Sequence, residues 1–370
     1  MTIRVWEYLE EYKEERKDIL KIVDKVFSSG VLVLGEGVRK FEEEYSTYCC
    51  SADAVGVDNA TNGIFLALKA LNIGLGDEVI TVSNTAVPTV SAIAQAGASA
   101  KFVDIKEDSF LMDVSQLESQ INKSTKAVIV VHLYGQCVDM KAVKKVCKKH
   151  NLFIIEDCSQ SHGAEQNGIK CGAMGDMGIF SFYPTKPLGG YGDGGIITCR
   201  TKTLGKKLRS LRFYGMKGVY YAEEKGYNSR LDEVHAEILR YKLKKLDNYI
   251  LKRKELAKRY DKAFEDTNLI TPIVQANNSH VFYVYVVKHK QRDNIIKYLN
   301  QKDIFLNISY PWPIHIMRGY KYLGYKKGDL PKTEKVSKQI FSLPMFPSLT
   351  FNRQDKVIKE IKNALSKFDK

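Results

Sequence analysis

Three stretches of this chain carry residue types in arrangements that could do chemistry. In Phe180-Ser181-Phe182-Tyr183-Pro184-Thr185-Lys186-Pro187-Leu188-Gly189-Gly190, a β-rich run ends in a lysine set between two prolines. Pro187 disfavours a helical backbone at Lys186, so that residue is expected on an extended or turning segment. The glycines that follow, through Gly195, turn the chain back into another strand. An amine held at a strand end among aromatic neighbours suits condensation with an aldehyde. A surface lysine in a glycine-rich turn reads the same on this segment alone. The second stretch, Leu152-Phe153-Ile154-Ile155-Glu156-Asp157, runs four apolar residues into two carboxylates. One such acid can hold a charged hydrogen bond to a heterocyclic nitrogen, or simply cap the following turn. The third, Val55-Gly56-Val57-Asp58-Asn59-Ala60-Thr61-Asn62-Gly63, passes from a strand into a helix. Free N–H groups at that helix start suit a phosphate, although Thr61 serves equally as an N-cap.

These segments need a scaffold that brings strand ends together. Candidate strands are 54–57, 78–82, 101–104, 127–132, 152–156, 178–182 and 195–199, with helical patterns at 63–71, 88–96 and 140–150 between several of them. Strands alternating with helices indicate an α/β domain with a mostly parallel, mixed sheet. In such sheets ligands sit beyond the carboxyl ends of the strands, where all three stretches fall. From about Leu231 to Ala263 the pattern becomes one long helical run. A strand at 281–287, a helix at 292–300, a proline-rich loop at Tyr310–His315 and a closing helix at 354–368 then form a smaller α+β unit. The expected division is a large domain over 1–250 and a small C-terminal domain over 251–370.

Composition narrows the function classes. The 370 residues include 44% hydrophobic and 27% charged, which is globular and long enough for two cores. No apolar run could span a bilayer, and the N-terminus meets acidic residues at once, so neither membrane insertion nor secretion is expected. Seven cysteines without a CxxC pair read as free thiols in a reducing cytoplasm. The histidines lack zinc-site spacing, so no metal is expected. The net charge of +14 is dispersed among acids, as on the amphipathic segments 206–212 and 242–259. It reads as solvated surface, or steering of an anionic small molecule, rather than nucleic-acid binding. Gly190-Tyr191-Gly192-Asp193-Gly194-Gly195 fits GxGxxG by letter, but it leads into a strand instead of a helix.

In order, a phosphate-type helix start, an acid at a strand end and a lysine 29 positions later resemble a fold-type-I pyridoxal-phosphate enzyme. More narrowly, the chain resembles the DegT/DnrJ/StrS family of sugar-nucleotide aminotransferases nearly end to end. Further matching pieces are Gly35-Glu36-Gly37 with Phe41-Glu42, Gly76-Asp77-Glu78, His132-Leu133-Tyr134-Gly135-Gln136, His162-Gly163, Tyr227-Asn228-Ser229-Arg230 and Leu343-Pro344. The resemblance implies that Lys186 forms the Schiff base with pyridoxal 5'-phosphate and then moves the proton. Asp157 would pair with the pyridine nitrogen, making the ring an electron sink, and Gln160 would lie near the phenolic oxygen. Ala60, Thr61 and Ser181 would hold the phosphate. Asn228 would reach the phosphate in the neighbouring subunit, with Arg230 supporting its loop, which implies a homodimer with shared sites. His315, Tyr310 and Tyr183 would face the sugar nucleotide, and L-glutamate would donate the amino group.

One departure bears on the site. Relatives carry an aromatic residue in a Thr-aromatic-Val-Ala-Thr segment, stacked on the cofactor; here the segment is Thr85-Ala86-Val87-Pro88-Thr89. That version, with Tyr-Pro-Trp-Pro-Ile-His at 310–315, is more similar to members that aminate C3 of a dTDP-linked 3-keto-6-deoxyhexose. C4 amination of a UDP- or dTDP-4-keto-6-deoxyhexose is the alternative, and a non-catalytic regulatory protein on the same fold is the reading from another class. Dehydratase relatives have histidine at the lysine position, and position 186 is lysine.

Overall fold

The computed structural model describes residues 2–218 and 220–368. Its centre is a seven-stranded sheet in the order Asp53–Val57, Gly195–Cys199, Met177–Ser181, Phe153–Asp157, Thr125–Val131, Glu78–Val82, Ser99–Val103. Gly195–Cys199 runs antiparallel to both neighbours, and every other pair is parallel. Both faces are covered, which explains why strands such as Thr125–Val131 read as continuous apolar runs. Alternate residues go to opposite sides. Ala127, Ile129, Ile155 and Ile179 pack toward helices α3 (Ala60–Ala70), α4 (Val87–Gln95) and α6 (Lys202–Leu211). Val128, Val130, Ile154 and Phe180 pack toward α2 (Glu36–Cys49), α5 (Met140–Lys149) and α7 (Glu233–Leu243), while α1 (Leu9–Ser29) lies outside α7.

Several expected boundaries shift for physical reasons. The side chain of Asn59 accepts the Asn62 amide at 2.9 Å and caps α3, so this helix starts at Ala60 rather than Gly63, and Thr61 is not the cap. The single helical run expected from 231 to 263 is two helices, α7 and α8 (Leu246–Phe264). The strand expected at 281–287 is Tyr285–Lys288. Residues before it bind elsewhere: Val281 and Tyr283 donate their amides to the carbonyls of Gly135 and Tyr134 at 2.9 and 3.1 Å, with Phe282 at φ +48° between them. The basic segments are not simply washed by solvent, because burial takes one residue from the first and two from the second. Arg212 is buried against Glu42, and Lys242 pairs with Glu11 at 2.7 Å. Arg253 gives one nitrogen to the carbonyls of Phe282, Tyr283 and Met345.

A second core gathers Tyr260, Phe264, Phe341, Phe346 and Ile361 between α8, α11 (Phe351–Phe368) and the antiparallel pair Tyr285–Lys288 and Ile340–Leu343. Alongside lie α9 (Arg292–Asn300) and α10 (Pro331–Ser337). Position 250 falls inside α8, whose Leu246 and Ile250 serve the first core while Leu256 and Tyr260 serve the second. Ile3 also joins the second core, its strand lying parallel to Ile304–Phe305. No described helix is long and apolar enough to cross a membrane. All seven cysteines are free, and only Cys50 is exposed.

Candidate active site

The carboxyl ends of four strands, Asp53–Val57, Glu78–Val82, Phe153–Asp157 and Met177–Ser181, open onto one cavity of about 280 Å³. Ala60, Thr61, Asp157, Gln160, Ser181, Tyr183 and Lys186 all border it, together with Thr85, Ala86 and Thr89. The architecture therefore collects residues separated by more than a hundred positions.

Lys186 closes a turn in which its amide donates to the carbonyl of Tyr183 at 2.9 Å, with Pro184 at the second position. The turn is tight: a Cβ at Gly189 would lie 2.3 Å from the Pro184 carbonyl oxygen, so only glycine fits there. The Lys186 Nζ sits 4.7 Å from the centroid of the Tyr283 ring, and the Tyr283 hydroxyl bonds Thr185 Oγ1 at 3.0 Å. The lysine is thus positioned in part by Tyr283, a residue far along the chain.

Asp157 ends its strand 6% exposed. Its Oδ2 accepts the Thr89 hydroxyl at 2.8 Å and its Oδ1 accepts the Ser159 amide at 3.2 Å. Neither bond fills a carboxylate's acceptor capacity. Gln160 is held at both ends: its Oε1 accepts the Tyr134 amide at 2.8 Å, and its Nε2 donates to the Tyr310 hydroxyl at 2.6 Å. Burial, helped by Tyr283 and Tyr134 nearby, pushes the Tyr310 hydroxyl well above its usual pKa, so it keeps its proton.

The phosphate-type corner is the start of α3. Ala60 and Thr61 are the first helical residues and have no carbonyl one turn earlier to receive their amides. Gly195 brings the neighbouring strand against this corner, where a Cβ would lie 2.9 Å from the Ala60 nitrogen. Ser229 donates its hydroxyl to Asp58, fastening the 228–230 loop beside it. These observations fit a cofactor with one anionic arm and one ring nitrogen. The helix start would meet the arm and Asp157 the nitrogen, with Lys186 on the same cavity wall.

Four expected residues are not in the wall of this cavity: Tyr310, which reaches it through Gln160, and His315, Asn228 and Arg230. His315 does not face it: its ring is fully buried, with Nδ1 2.8 Å from Ser83 Oγ and Nε2 3.1 Å from Glu334 Oε1. The proline-rich loop is tied down here, because Ser83 Oγ also accepts the His315 amide at 3.0 Å. His315 thereby acts as a strut for the loop carrying Tyr310. Asn228 is exposed and lies away from its own chain's cavity, its backbone bridging to Phe213. The Arg230 guanidinium stacks 5.5 Å from the ring centroids of Phe213 and Tyr214.

The sequence reading gave no role to Thr89, Tyr134 or Tyr283. Only Thr89 left a signal, lying four positions after another threonine, Thr85. Among the described residues, His132, Glu156 and Cys158 come together with metal-ligand spacing. The imidazole nitrogens are both engaged, however, Nε2 with Glu156 at 2.9 Å and Nδ1 with the Val138 amide at 3.1 Å.

Comparison with known proteins agrees with this geometry. The model of the DegT/DnrJ/EryC1/StrS aminotransferase family matches residues 13–362. A protein of Micromonospora megalomicea subsp. nigra named dTDP-3-amino-3,4,6-trideoxy-alpha-D-glucose transaminase is 50% identical, over 99% of this chain and 100% of its own length. The crystal structure of DesV from S. venezuelae, in complex with a ketimine intermediate, superposes with TM-score 0.96 at 34% identity, covering 98% of each chain. NtdA from Bacillus subtilis, solved with bound cofactor PMP, has TM-score 0.90 at 28% identity, covering 95% of this chain and 82% of its own. The chain belongs to the DegT/DnrJ/EryC1/StrS aminotransferase family.

Proposed function

We propose that this chain uses pyridoxal 5'-phosphate to move an amino group from L-glutamate to C3 of a dTDP-linked 3-keto-6-deoxyhexose, as a cytoplasmic step in amino-sugar biosynthesis. The carrying observation is the convergence of Lys186, Asp157 and the open start of α3 in one cavity. When bound, the cofactor supplies an aldehyde to carry the amino group and a ring to take up electrons. Lys186 holds the cofactor and moves a proton between the substrate carbon and the cofactor carbon. Asp157 holds the ring nitrogen, while Gln160, fixed by Tyr134 and Tyr310, orients the phenolic side. Ala60, Thr61 and Ser181 take the phosphate. Tyr183, 53% exposed at the cavity edge, belongs to the sugar side, with Tyr310 behind Gln160. The name of the Micromonospora relative supports the nucleotide and the carbon aminated. The test is incubation with L-glutamate and either the 3-keto or the 4-keto dTDP-6-deoxyhexose, locating the new C–N bond by NMR. Amine at C3 is expected; amine at C4 alone would overturn the regiochemistry, and none from either would overturn the reaction.

The working unit of this reading is a homodimer. Phe27, Val31, Leu32 and Val33 are exposed apolar residues in sequence with α1, and Tyr220 and Tyr221 are exposed on the loop before Asn228. Such surface calls for a partner, and a second copy would bring Asn228 to its cofactor phosphate. Mixing inactive Lys186→Arg and Asn228→Ala subunits should restore activity, because half of each mixed dimer's sites would be unmutated. Mixed dimers that stay inactive would contradict shared sites.

A further inference from the structure

We infer that Thr89 is a positioning residue that aims the Asp157 carboxylate at the cofactor's ring nitrogen, with Thr85 behind it. The inference rests on the reading that Asp157 holds that nitrogen. Thr89 is fully buried and sits in the first turn of α4, and its hydroxyl lies 2.8 Å from Asp157 Oδ2. An ionised carboxylate only accepts, so Thr89 must donate its proton there. Its oxygen is then free to accept, and Thr85 Oγ1, also buried, lies 3.1 Å away. The direction Thr85 to Thr89 to Asp157 follows from these two contacts. In a buried chain each bond polarises the next. Asp157 Oδ1 is fixed separately by the Ser159 amide. With one bond on each oxygen the carboxylate plane is set, and the lone pairs left over border the cavity.

The test measures binding of pyridoxamine 5'-phosphate and of its 1-deaza analogue, in which CH replaces the ring nitrogen, to apoprotein. Neither ligand can form a bond to Lys186. The unaltered protein should prefer the natural ring, and Thr89→Val should lower that preference by about tenfold, while Thr89→Ser keeps it. Thr85→Val, which removes only the outer donor, should lower it by a smaller factor and gives a second reading if Thr89→Val folds poorly. Equal weakening of both ligands, with the preference intact, would overturn the inference by making Thr89 a packing residue. Absence of any preference in the unaltered protein would instead overturn the Asp157 contact, and the inference with it.

Discussion

Glu156 and Asp157 are adjacent in the chain and opposite in employment. Glu156 points to one side of the sheet, fully buried, and receives His132 and the amides of Gly172, Met174 and Gly175 at 2.9, 3.0, 2.8 and 2.6 Å. Asp157 points the other way, receives two donors and borders the cavity. A carboxylate saturated by its own chain has nothing left to offer a ligand, whereas one left with open acceptor capacity at a cavity wall can hold a positively charged ring. Strand alternation alone assigns the two roles.

Two substitutions break this comparison from opposite sides. Glu156→Gln sets a donor against the amide donors of the 172–175 loop. It should cost about 3 kcal/mol of stability, read as a lower urea midpoint, while protein that remains folded keeps its glutamate half-reaction rate. Asp157→Asn should do the reverse, lowering kcat at least about 100-fold, near 2.7 kcal/mol, with the urea midpoint little changed. Equal loss of stability in both variants would erase the distinction.

Two histidines sharpen it further. His132 has both ring nitrogens engaged. His162 is equally buried but has no carboxylate beside it, only a backbone contact to Ser181, and burial pushes its pKa down to about 3 from 6.5. Burial does the same to His280, with Lys254 adding to it. The unfolded chain therefore takes up protons first. Stability is complete above about pH 6.5 and is lost progressively as pH falls toward 3. Replacing His162 by Leu should make that acid decline of the urea midpoint shallower; an unchanged slope would contradict the assignment. The smallest effect expected is electrostatic. With a net charge of +14, kcat/KM for a doubly anionic sugar nucleotide should fall a few-fold as salt rises through the physiological range. A salt-independent value would remove steering from the account.

Much of this was legible in the sequence, for identifiable reasons. The seven sheet strands announced themselves because burial on both faces leaves little polar interruption, and Lys186, Asp157 and Ser181 lie at their ends. Local period could not show where backbone leaves a sheet for a different partner, so the segment before Tyr285 was misread as strand. Long-range partners were invisible too. His315 finds Ser83 232 positions away, and Thr89 finds Asp157 68 positions away. The Gly35-Glu36-Gly37 motif, one of the pieces matching the family, uses its glycines to make room for Glu233. That carboxylate accepts the amides of Gly35 and Val38 at 3.0 and 3.1 Å at the start of α2.

Lys186 is proposed to hold pyridoxal phosphate in a cavity competent to accept an amino group from glutamate. The most direct test is the absorbance spectrum of the purified protein before and after L-glutamate. A band at about 410–420 nm that converts to one at about 330 nm, and is missing in Lys186→Arg, is the expected result. No band after pyridoxal phosphate is supplied, or the same glutamate-driven conversion in the arginine variant, would contradict the account.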